Sequence, residues 1–122
     1  MPAATTMLFL VETCLYALAS LTHAGFLIDG HAHRQAMIAE AVIAAILLLG
    51  LISVRLGRSW SRSLAITAQC FALLGTLVGA CTIAVGVGPQ TMLDYATHVV
   101  MIVILVAGLI WLLRTRNGRS RV

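Results

Sequence analysis

Apolar residues gather in four long stretches, Met7–Ile28, Ala36–Val54, Leu64–Val87 and Met92–Leu113, separated by short polar breaks. Each stretch is close to the ~20 residues a helix needs to cross about 30 Å of hydrocarbon. The breaks carry turn residues: Asp29-Gly30 after the first stretch, Gly57 after the second and Gly86-Val87-Gly88-Pro89 after the third. Backbone groups in lipid must be satisfied within the segment, so the stretches are predicted as helices rather than strands. The pattern therefore predicts an all-α fold, a bundle of four transmembrane helices forming a single transmembrane domain over residues 1–122.

Composition agrees with that reading. Hydrophobic residues make up 61% of the 122 residues and charged residues only 10%, against the ~25% charged typical of soluble domains. Ala17-Leu18-Ala19 imitates a cleavage site, but no basic region precedes it and the apolar run continues past it. The first helix is therefore expected to be retained. Cys14, Cys70 and Cys81 lie inside apolar stretches without a CxxC spacing, which reads as buried, inert thiols.

The basic residues are eight arginines and no lysine. Arg55, Arg58 and Arg62 fall in the second break, Arg114, Arg116, Arg119 and Arg121 in the tail 114–122, and Arg34 alone near the first break. That seven-to-one bias predicts a bacterial inner-membrane protein with both termini and the middle loop in the cytoplasm. Trp60 and Trp111 stand beside the same arginines as interfacial anchors. Arginines at the interface do not form a nucleic-acid groove, so no nucleic-acid partner is expected; the expected environment is the lipid bilayer.

The second half echoes the first at an offset of 56 to 58 residues, as in Cys14-Leu15 with Cys70-Phe71 and Gly50-Leu51-Ile52 with Gly108-Leu109-Ile110. This is consistent with a tandem repeat of two helical hairpins about an axis along the membrane normal.

Ionisable residues inside a membrane are costly and usually face the bundle, where they find partners. Here they fall in two layers. The inner layer holds Glu12 and Gln69; the outer layer holds His23, Glu40, Asp94 and His98. Glu12, Tyr16 and His23 recur on one face of the first helix, a polar path across much of the membrane. Asp94 and His98 are four apart, so that the carboxylate can orient the imidazole. Gly75 and Gly79 form a GxxxG suited to close helix packing, within the chain or in a homodimer. The outer loop alternates Asp29, His31 and His33, which in an extended strand would point the same way as a metal-capture site.

Several readings of the outer layer stay open. His23 and His98 can be axial ligands of a b-type haem, with Gly79 leaving room for the porphyrin edge. His23, Glu40 and His98 can ligate a transition metal, with Asp94 behind His98. A purely structural reading pairs Glu40 with one histidine and Glu12 with Gln69 or Tyr16. At the level of the protein, the expectation is an accessory or binding subunit with a cofactor or ion site, alone or within a larger membrane complex. The alternatives are an oligomeric transporter or channel and a haem-bearing electron-transfer subunit. No nucleophile–base arrangement or phosphate-binding loop points to an enzyme.

The stretch Gln69–Thr91, followed by Asp94-Tyr95 and His98, together with Ala39-Glu40 and the histidine ending the first helix, resembles a group of small, uncharacterised bacterial four-helix membrane proteins. The resemblance implies an inner-membrane location and carries no activity. The arginine–tyrosine and early glycine pattern of small fluoride channels is missing. Glu12 resembles the embedded glutamate of small multidrug transporters, but its neighbours do not match.

Overall fold

The computed structural model describes residues 1–115. Arg116, Arg119 and Arg121 of the tail lie outside the described residues. Four helices account for most of the rest: α1 (Ala3–His23), α2 (Arg34–Leu56), α3 (Ser61–Ala84) and α4 (Met92–Arg114). All four are long and apolar enough to span a membrane. Each packs on its neighbour in chain order, and α1 meets α4 only sparsely. The start of α1, the end of α4 and the α2–α3 turn lie at one end of the bundle, here the near end; the α1–α2 and α3–α4 connections lie at the far end.

The helix ends follow local chemistry. α1 stops at His23, five residues before the apolar run does. Gly25 adopts φ +84°, and the backbone N–H of His33 closes the loop by donating to the His23 carbonyl at 2.8 Å. Ala24–Ile28 is thus apolar loop, which hydropathy alone cannot tell from helix. α2 ends on Gly57 in the left-handed region, a position that favours glycine. α4 opens with a capping box: Thr91 Oγ1 accepts from the Asp94 N–H, and the Asp94 carboxylate accepts from the Thr91 N–H at 2.9 Å. At its other end the Arg62 guanidinium donates to the carbonyls of Leu112 at 3.1 Å and Thr115 at 3.2 Å, satisfying acceptors that a helix C-terminus leaves open.

Burial is inverted relative to a water-soluble bundle. The outward faces are apolar, with Leu74, Val99 and Val103 each more than half exposed, whereas Glu12, Gln69, Glu40, Asp94 and His23 are buried. Such a surface belongs in a lipid bilayer. Lipid is as apolar as leucine, so close packing and interhelical hydrogen bonds hold the helices together. Small residues supply the closeness. Ala65, Ala68 and Ala72 line the buried face of α3, and the Phe9 ring of α1 lies directly over Gly50, with Ala68 beside it. Gly75 faces the Ile43 side chain and Gly79 faces His98, so both glycines of the GxxxG are used inside the chain. The three cysteines, expected to be buried, are exposed on the outward faces. They sit among apolar residues because they face lipid, not because they belong to the core.

Candidate functional site

The polar side chains of α1 organise the interior. Near its start Thr5 accepts from Trp111 Nε1 at 3.1 Å, which ties that tryptophan to α1. One turn past Phe9, Glu12 Oε1 accepts from Gln69 Nε2 at 2.6 Å. The Tyr16 hydroxyl is hydrogen-bonded to Thr76 Oγ1, and Thr76 donates to the Ala72 carbonyl at 2.7 Å. Ser20 donates to the Met37 carbonyl at 2.8 Å. His23 completes the stripe at the last helical residue.

His23 is held between two acids from two other helices. Its Nδ1 lies 2.7 Å from Glu40 Oε2 on α2, and its Nε2 lies 3.1 Å from Asp94 Oδ1 on α4. A neutral imidazole has one N–H, so both contacts are hydrogen bonds only when the cluster carries one further proton. With that proton aboard, two carboxylates share one positive charge, and the cluster keeps one net negative charge. No arginine is ion-paired with it among the described residues.

Asp94 reaches His23 because its other oxygen is already fixed. Oδ2 accepts from the Thr91 hydroxyl at 2.5 Å as well as from the Thr91 N–H. The expected carboxylate-to-His98 contact is therefore absent. His98 Nδ1 donates instead to the Asp94 backbone carbonyl at 2.8 Å, one helical turn back. Its Nε2 fills the space over Gly79, where a Cβ would stand only 2.9 Å away. The gap expected to admit a porphyrin edge is thus taken up by an imidazole.

Two cavities meet at this cluster. One, of about 360 Å³, lies between α1 and α4 and is walled by Leu15, Leu18, Leu93, Ala96 and Val100. The other, of about 230 Å³, lies between α2 and α3, runs from Tyr16 and Thr76 to Val87–Pro89, and includes His33 at its rim. His23, Glu40, His98 and Met101 line both. They form a polar partition between an apolar cleft where α1 and α4 barely touch and a chamber at the far end.

The geometry bears on the metal and haem readings. Both ring nitrogens of His23 already face carboxylates, so an iron or a transition metal would have to displace Glu40 or Asp94 to reach it. Among the described residues no three His, Cys, Asp or Glu side chains converge as a metal site. The side chains of the Asp29-His31-His33 loop do not gather into a metal site among the described residues. His33 caps α2 by accepting from the Ala36 N–H at 3.2 Å, while His31 Nδ1 lies 3.3 Å from the Asp29 carbonyl.

Residue by residue, the structure brings Glu12 to Gln69, and His23 to Glu40 and Asp94; Tyr16 meets Thr76, and His98 stands beside the cluster rather than in it. Thr91 and Met101 were not anticipated. Thr91 had a legible signal, the Thr-x-x-Asp box, whereas Met101 had none beyond apolarity. No protein-family model, curated protein or solved structure matches the chain.

Proposed function

We propose that this is a small binding protein of a bacterial inner membrane, with both termini cytoplasmic, whose outer-half site takes a cation with an apolar body. The orientation rests on the arginine bias, three in or flanking the α2–α3 turn (Arg55, Arg58 and Arg62) and four from position 114 onward. The ligand class rests on one observation: the Glu40–His23–Asp94 cluster, two acids to one imidazole, forms the wall of an apolar cleft between α1 and α4. A cationic head supplies the charge the cluster lacks, and the cleft accepts the apolar remainder directly from lipid. A fully hydrated ion suits the cleft less well, because its walls offer few polar partners.

The test is binding of tetraphenylphosphonium to the detergent-purified protein, measured against empty micelles, with triphenylphosphine oxide as the neutral control. Loss of one charge in Glu40→Gln is expected to weaken the cation at least tenfold, or about 1.4 kcal/mol, and to leave the neutral compound unchanged. Equal binding of the cation and the neutral control, or indifference to Glu40→Gln, refutes the reading. An absorption spectrum of the same preparation tests the haem alternative, since a Soret band lost in His98→Ala would replace this proposal. The transporter alternative draws on the same cavities and is separated by cation flux in liposomes.

A further inference from the structure

A second polar group lies deeper, away from both cavities. Glu12 and Gln69 are 1% and 0% exposed. Gln69 Nε2 donates to Glu12 Oε1 at 2.6 Å and to the Leu105 carbonyl at 3.3 Å. The bond to Leu105 fixes the amide orientation, because a reversed amide would set its oxygen against that carbonyl. What remains is unusual. Glu12 Oε2 and Gln69 Oε1 are both buried and both lack a hydrogen-bond partner among the described residues.

An ionised Glu12 would be a charge in hydrocarbon with one amide donor and no ion-pair partner among the described residues. Breaking or omitting the partner of a buried charge is strongly destabilising, and an acid at the centre of a membrane helix is costly. A bound metal cation would offset this only with room and ligands. Room is missing: the pair lies against Gly108, where even a Cβ would stand 3.1 Å from Glu12 Oε1 and 2.8 Å from Leu8 Cδ2. Neither far-end cavity reaches Glu12 or Gln69. The one cation that needs no room is a proton.

We infer that Glu12 is a proton-carrying site, a neutral carboxylic acid that exchanges its proton with the far-end chamber through Tyr16. Tyr16 stands one turn above Glu12 on the same face of α1. Its hydroxyl donates to Thr76, whose own proton is committed to the Ala72 carbonyl. Tyr16 and Thr76 line the α2–α3 chamber, so this hydroxyl pair is its floor, with Glu12 beneath. The site goes beyond the cation reading and does not depend on it.

A hydrophobic carbodiimide reports such a group. The acid O–H adds across one C=N bond, the proton passing to nitrogen and the carboxyl oxygen to the central carbon. The O-acylisourea then rearranges by acyl transfer to nitrogen, giving a stable N-acylurea; nothing leaves and nothing is oxidised. The experiment treats the full-length protein in liposomes with dicyclohexylcarbodiimide at neutral pH and maps the adduct by mass spectrometry. The expected result is an adduct at Glu12 that is absent in Glu12→Gln. Labelling confined to Glu40 or Asp94 overturns the inference, and mapping on the wild-type chain decides this even if the variant does not fold. Infrared spectra provide an independent readout: the carbonyl band of a protonated acid, shifted in D2O and lost in Glu12→Gln. Tyr16→Phe should slow that deuterium shift several-fold. An unchanged rate overturns the route through Tyr16, and a Glu12 with only carboxylate bands overturns the site.

Discussion

Gly108→Ala is the most demanding test of the interior described above. The new methyl would meet Gln69 Nε2 well inside contact distance, Leu8 Cδ2 at 2.8 Å and Glu12 Oε1 at 3.1 Å. Gln69 is the group that must yield, and it cannot do so freely, since its amide is buried and carries bonds to Glu12 and Leu105. Hydrogen bonds inside membrane proteins are worth about 0.6 kcal/mol on average and up to about 1.7, while overpacking costs about 1–3 kcal/mol. Alanine recovers about 0.5–1 kcal/mol of backbone entropy relative to glycine. The net expectation is a loss of about 1–4 kcal/mol. Unfolding in mixed micelles with increasing dodecyl sulfate, followed by far-UV circular dichroism, measures it. The steric account makes a sharper demand on the double variant. Gln69→Ala removes the nearest atoms the methyl strikes, so the combined loss should fall below the sum of the two single losses by at least ~1 kcal/mol. A Gly108→Ala loss under ~0.5 kcal/mol, or strict additivity with Gln69→Ala, refutes the packing described for this layer. Gly75→Ala is the control: it meets the flexible end of Ile43 at 3.0 Å and breaks no hydrogen bond, so it should cost less.

Three further outcomes follow from the same geometry. Thr91→Ala removes the N-cap of α4 and the hydroxyl bond to Asp94; a loss of about 1 kcal/mol is expected in the same unfolding assay, with Thr91→Ser close to wild type. Gly79→Ala places a methyl 2.9 Å from His98 Nε2, so His98 should shift. Its imidazole resonances should move in NMR spectra while those of His31, in the far loop, stay in place. Arg62→Ala removes the guanidinium donor from the Leu112 and Thr115 carbonyls and leaves Leu112 only the Thr115 hydroxyl; hydrogen exchange should rise over the last turn of α4 and remain unchanged in α2.

Topology was legible because the membrane imposes it: span length and apolar runs place four helices before any packing is known. Boundaries were less so. Ala24–Ile28 is as apolar as the helix before it, and the stop at His23 depends on Gly25 adopting a positive φ and on His33 reaching back to a carbonyl. The two polar layers were also legible, since helical spacing alone puts Glu12, Tyr16 and His23 on one face. Which partners they take was legible only in part. Spacing allowed the Asp94 carboxylate to reach His98 four residues on, yet the Thr91 cap turns that carboxylate away and offers it to His23 on another helix.

That switch of partners explains why the outer cluster has the form it does. A carboxylate committed to its own capping box is held without help from solvent, and its remaining oxygen then has a fixed direction. Asp94 is such a group, and the end of α1 brings His23 to meet it. Glu40 approaches the same ring from the opposite side, so three helices are joined through one imidazole. In lipid such a junction contributes to holding the helices, because apolar contacts between them compete with equally apolar contacts to the bilayer. The same junction sets two acids against one imidazole beside an apolar cleft. A substitution that removes one acid, such as Asp94→Asn, therefore separates packing from the proposed binding: it keeps the shape and much of the helix contact, and it removes a charge on which the proposed cation binding rests.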